Sequence, residues 1–155
     1  MKFSVRDDIE APIDFVFAQV SDFAAFERLI LRRGATVERQ GVDGNDGLGA
    51  RWKVDFVFRG KPREVLATVT AFDPPGNLAI SSASSGIDGL TTVELLALSK
   101  SRTRLSFAQE LKPNTLAAWL MIQSLKLAKS SLESRLRLRT TEFAKDVERR
   151  WRSQS

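Results

Sequence analysis

The chain has 155 residues, 43% hydrophobic and 28% charged, with a net charge of +5, values that suit one globular domain with a substantial core. It contains no His, no Cys and no Tyr, which removes disulfides, the imidazole and thiolate ligands of ordinary transition-metal sites, and the His base of a catalytic triad. Carboxylates, lysines, arginines and hydroxyls remain for acid–base work, and no metal or other cofactor is expected.

Residues 2–10 read as a first strand, with Phe3, Val5, Asp7 and Ile9 on one face. Ala11-Pro12 ends it, and Pro12 suits a first helical turn. Ile13, Val16, Phe17 and Val20 recur at helical spacing. Ser21-Asp22 offers a cap for a second short helix, which carries Phe23, Phe26, Leu29 and Ile30 to about Arg33 and closes at Gly34. Thr36–Gln40 is a short strand, and Asp43-Gly44-Asn45-Asp46-Gly47 is a dense hairpin signal.

The stretch Gly49–Gly60 is the most informative. Trp52, Val54, Phe56 and Phe58 alternate with Arg51, Lys53, Asp55 and Arg59, with Val57 the one exception. This is the pattern of a strand with one apolar face and one wet face. Strands follow over Arg63–Phe72, Leu78–Ser85, Leu90–Leu98 and Arg102–Leu111, separated by turns at Gly60-Lys61-Pro62, Asp73-Pro74-Pro75-Gly76, Gly86–Gly89 and Lys100-Ser101. From Thr115 to Trp151 there is no Gly and no Pro, so one helix of about 37 residues, about 55 Å long, is expected. Its last turns, with Arg149, Arg150 and Arg152, are expected to protrude or fray. No repeat or linker interrupts the chain, which reads as a single domain over 1–155.

A meander of hairpin-linked strands must bury one face, and the terminal helix is the element large enough to cover it. The fold class is therefore α+β, a helix-grip arrangement: a curved antiparallel sheet wrapped around a long C-terminal helix, with two short helices after the first strand. Ala11-Pro12 with Val16-Phe17 and Asp22, then Gly49-Ala50-Arg51-Trp52, Phe72-Asp73-Pro74-Pro75 and Thr103-Arg104-Leu105 before the long helix, resemble the START/Bet v 1-like (SRPBCC) superfamily. Within it they resemble its polyketide cyclase/dehydrase-like and lipid-transport-like sequences. The resemblance covers essentially the whole chain. It implies a cavity between the concave face of the sheet and the terminal helix, and cyclase or dehydratase chemistry for some members.

If that cavity exists, Trp52, Val54, Phe56 and Phe58 line one wall. Val65, Ala67, Val69 and Ala71 continue it, followed by Val93 and Leu95, then Leu105, Phe107, Gln109 and Leu111. From the helix, Leu116, Trp119, Leu120, Gln123 and Leu127 are expected to face the sheet. Ala67, Ala71, Ser82, Ser84 and Ala97 are small enough to leave volume, or to make room for Trp119. Gln109 puts an amide on an apolar wall, either to fix the polar end of a ligand or to bond within the protein. Asp7 is the best acid–base candidate, against the plainer reading of a surface ion pair. Glu94 and Glu110 fall on the solvated face.

The leading function is binding, transport or sequestration of a hydrophobic small molecule or lipid. A cyclase or dehydratase using Asp7 with Gln109 or an Arg is the enzymatic alternative, and the lack of His and Tyr weighs against it. The third reading is an interaction module. Residues 1–99 hold 11 Lys and Arg against 14 Asp and Glu, whereas residues 100–155 hold 13 against 5, so the terminal helix is basic. It offers a surface to anionic membrane or RNA, but its interspersed acids favour a solvated face. No DNA contact is expected. The absence of a secretory signal and of Cys agrees with a cytoplasmic protein.

Overall fold

A computed structural model describes residues 1–41 and 44–154; Asp43, counted above in the hairpin signal, lies outside them. The elements run β1 (Lys2–Ile9), α1 (Ile13–Val20), α2 (Phe23–Arg32), β2 (Thr36–Gln40), β3 (Arg51–Phe58), β4 (Lys61–Asp73), β5 (Asn77–Ser84), β6 (Ile87–Ser99), β7 (Arg102–Pro113), α3 (Leu116–Lys126) and α4 (Lys129–Ser153). The seven strands form one sheet in the order β1-β7-β6-β5-β4-β3-β2, antiparallel throughout. The meander β2 to β7 is thus closed on one side by β1, which returns to pair with the last strand.

Local chemistry places the turns. Asp22 caps α2 by accepting from the Ala25 N–H at 3.1 Å. Arg59 and Gly60 both take positive φ, as do Ser85 and Gly86, which makes the β3–β4 and β5–β6 connections primed hairpin turns whose twist matches the sheet. These centres sit at or just before the Gly60 and Gly86 turns read from the sequence.

The packed core lies toward one end of the concave face. Ile9, Ala11, Val16, Phe17, Val69, Leu78, Leu95, Leu105, Ala144 and Val147 are buried together there. The buried Thr103 hydroxyl donates to the Ala11 carbonyl at 2.8 Å, tying the β1–α1 connection to β7. Trp151 packs on Phe15 with ring centroids 5.1 Å apart, and Arg150 donates to Gln19 at 2.7 Å. The end of α4 is therefore docked against α1, rather than protruding or frayed as the length of the terminal helix suggested.

Two features depart from the sequence reading. The terminal helix is two helices, α3 against β7 and α4 against β1 and α1. Between them Leu127 and Ala128 close tight turns onto the Ser124 and Leu125 carbonyls, a bend that lets two straight segments follow a curved sheet. In addition, β4 carries a bulge between Val69 and Ala71. The extra residue reverses the facing of the residues after it: Ala71 is exposed, and Phe72 turns inward to meet Phe17 edge-on at 5.4 Å.

Candidate functional site

The rest of the concave face is not filled. Beneath α2 lies a chamber of about 260 Å³, walled by Trp52, Val54, Ala67, Ile80, Thr91, Val93 and Phe107 from the sheet and roofed by Phe23, Phe26, Glu27 and Ile30. A second space of about 360 Å³ lies between α2 and α4 and shares Val20, Phe26, Val93 and Phe107 with the first. A third, of about 260 Å³, sits beneath α3 and is lined by Phe56, Phe58, Arg63, Val65, Ser82, Ser84, Leu111, Met121 and Leu125 among others. These spaces succeed one another along the sheet. Val54 and Phe56, Val65 and Ala67, and Ile80 and Ser82 are neighbouring inward positions on their strands, about 7 Å apart.

The expected wall residues divide among three environments. Trp52, Val54 and Phe107 line the chamber under α2, and Phe56 and Phe58 line the space under α3. Val69 and Leu95 are instead packed in the solid core. Gln109 stands between the first and third spaces with its amide engaged: Thr91 Oγ1 donates to its Oε1, and its Nε2 donates to the Glu110 carbonyl at 3.2 Å.

The helix residues are corrected most. Trp119 is 47% exposed and Leu120 56% exposed, on the outer side of α3, and Gln123 is half-buried. The inner side carries Ala118 and Ile122, both buried, with Met121 and Leu125 over the third space. The segment Leu116–Lys126 is apolar nearly all round, so two helical stripes fit its sequence equally well and periodicity does not choose between them.

Two residues that the sequence reading passed over, Glu27 and Arg39, fasten the roof of the first chamber. Glu27 Oε1, on α2, accepts from Trp52 Nε1 at 2.7 Å and from Arg39 Nε at 2.8 Å. Arg39 also pairs with Asp46 at 2.8 Å, donates to the Asn45 carbonyl, and lies over the Trp52 ring at 5.1 Å. One carboxylate thus holds the roof helix to β2 and β3, and Arg39 carries the tie on to the turn between them. Burial alone would raise the Glu27 carboxyl, but the hydrogen bonds from Trp52 and Arg39 outweigh it and hold it below its ordinary 4.5. These partners lie 12 and 25 residues from Glu27, beyond any local motif.

Asp7 is no chamber residue. It is half-buried and accepts from the Asp8 N–H at 2.9 Å. Its neighbour Asp8 takes the ion pairs, with Arg104 at 2.9 Å and Arg102 at 3.6 Å. The hydrogen bond from Arg104 is the main reason the Asp8 carboxyl lies below its ordinary 3.8.

Both depressed carboxyls act on stability in the same direction. Their contribution is fully present above the ordinary carboxylate values of 3.8 and 4.5 and is lost as pH falls through the lower folded values. The melting temperature is expected to be flat near neutrality and to fall below about pH 4. Glu27→Gln keeps an acceptor for Trp52 but loses the charge facing Arg39. It is expected to cost about 1–2 kcal/mol at neutral pH and to reduce the acid sensitivity, both measurable in thermal melts with Trp fluorescence.

The basic character of α4 is spread along its surface, with Arg135, Arg137 and Arg139 all exposed. Changing these three to Glu is expected to alter binding to RNA or to anionic vesicles little at physiological salt, where exposed charges are screened within about 8 Å. Strong binding lost in that variant would show that this helix docks.

The chain matches the family model described as polyketide cyclase/dehydrase and lipid transport over residues 1–148. Among curated protein sequences no relative matches it. Among solved structures, the Zhui aromatase/cyclase from Streptomyces sp. R1128 superposes with a TM-score of 0.67 at 12% identity, covering 97% of this chain and 94% of that one. A truncated norcoclaurine synthase from Thalictrum flavum also gives 0.67, at 15% identity over 95% and 92% of the two chains. The protein TTHA0849 from Thermus thermophilus gives 0.64 at 16% identity over 100% and 99%. Identities this low carry the fold, not an activity.

Proposed function

Because the chain belongs to the polyketide cyclase/dehydrase and lipid-transport family, within the START/Bet v 1-like superfamily, we propose that it binds a hydrophobic small molecule or lipid tail in the chamber under α2 and its extension toward α4. The observation that carries this reading is the unfilled apolar chamber between Trp52, Ala67 and Phe107. Burial of apolar ligand surface there supplies the affinity. Arg33, Arg139, Glu142 and Asp146 line only the extension toward α4; among the described residues the one ionisable group lining the chamber itself is Glu27, and it is occupied by Trp52 and Arg39. That favours a binding role over acid–base catalysis, since a general acid at neutral pH needs a raised carboxyl.

Trp52 sits in the wall and reports directly. Titration with a long-chain alcohol is expected to change its fluorescence saturably at one equivalent, with Trp119 and Trp151 each replaced by Phe to isolate the signal. A titration without saturation would remove the reading.

A further inference from the structure

The space under α3 differs from the other two in its charges: Arg63 lines it with no carboxylate beside it, whereas Arg33 and Arg139 of the second space are accompanied by Glu142 and Asp146. Arg63 lies on β4 directly opposite Phe56 and shares the inward face with Val65 and Ala67. Its Nε is shielded from solvent and has no hydrogen-bond partner among the described residues. Arg39 and Arg104, by contrast, are each matched to a carboxylate. Among the described residues no Asp or Glu lines the space under α3, and its other polar lining comes from Ser82, Ser84 and Ser85; Asp55 and Glu64 border Arg63 only from a separate groove outside that space. A buried guanidinium N–H left unpaired is unfavourable, whereas one that meets an oxyanion makes the strong, charge-assisted kind of bond. The rim is also basic. Arg59, in the β3–β4 turn, donates to Ser124 of α3 at 3.3 Å and lies over the Phe58 ring at 5.3 Å.

We propose that this space receives the anionic oxygen head group, carboxylate or phosphate, of an amphiphile whose tail lies in the chamber under α2, with Arg63 as the head-group anchor and the Ser82 and Ser84 hydroxyls as further donors. The proposal rests on the apolar-ligand reading and adds the ligand's polar end. The path between the two spaces is short, because Phe56, Val65 and Ser82 of one are the next inward residues after Val54, Ala67 and Ile80 of the other.

The test compares decanoate, decyl phosphate and decanol, equal in tail and different in head, by calorimetric titration at low salt. The wild-type protein is expected to bind at least one of the anions about tenfold or more tighter than decanol, and the tighter of the two names the head group. In Arg63→Met that preference is expected to vanish while decanol affinity stays within about twofold. This variant loses no hydrogen-bond or ion-pair partner among the described residues, so its melting temperature is expected to be no lower than that of wild type; Arg63→Gln provides the same comparison with a polar side chain. Anions bound no tighter than decanol by the wild-type protein, or a preference kept in both variants, would overturn the head-group assignment alone. Binding of none of the three would overturn the apolar-ligand reading and this proposal with it.

Discussion

Replacing Ala67 with Phe is expected to abolish apolar-ligand binding, with a loss of affinity of at least tenfold, while leaving the protein as stable as wild type or more so. Ala67 lies on β4 opposite Trp52 and Ser82, and its methyl group faces the chamber under α2. A benzyl group there enters space that the ligand would use. In a filled core the same change would force neighbours off their rotamers and cost about 1–3 kcal/mol. In an open chamber it adds contacts where the wall had none and is expected to contribute up to about 1 kcal/mol of stability. The sign of the stability change, read from denaturant melts of the ligand-free protein, therefore distinguishes a void from a packed interior without knowledge of the ligand.

A second contrast separates the two halves of the concave face. Ile9 is 0% exposed in the packed region, among Ala11, Val16 and Val147. Ile9→Ala is expected to cost about 2–5 kcal/mol, the range for truncating a large aliphatic side chain in a core that cannot collapse. Phe107 borders two of the open spaces, so part of its ring already lacks protein neighbours. Phe107→Ala removes a larger side chain yet is expected to cost under about 2 kcal/mol in the ligand-free protein. If it cost more than Ile9→Ala, the interior around Phe107 would be solid.

The sheet was legible because its signal is local. Alternation from Trp52 to Phe58, a Gly at each primed turn and the Pro-rich turn after Phe72 locate the strands to within a few residues, and Thr36–Gln40 coincides with β2. Where the period of two was broken by an inserted residue, as after Val69, the facing of Ala71 could not be read, since a bulge leaves no mark in hydrophobicity alone. The two short helices were legible from their spacing and from the Asp22 cap, but the role of α2 as the chamber roof was not. That role depends on Glu27 finding Trp52 and Arg39 across the fold.

The terminal helix shows the limit most clearly. Leu127 and Ala128 are ordinary helix formers, so nothing in their propensity marks the break between α3 and α4. The phase of α3 was equally open, because Leu116, Trp119 and Leu120 form as good a stripe as Ala118, Met121, Ile122 and Leu125. Arg63, by contrast, could have been found. Its parity with Val65 and Ala67 puts a charge on an apolar wall by the same rule that singled out Gln109.

The proposed apolar-ligand site on the concave face is tested most directly by the mass of the freshly purified protein. Native mass spectra are expected to show the chain with a bound apolar compound, lost on extraction with organic solvent and regained when a long-chain carboxylate is added back. A chain that carries no adduct as purified, and takes up none on addition, would contradict an apolar-ligand site between the sheet and its helices.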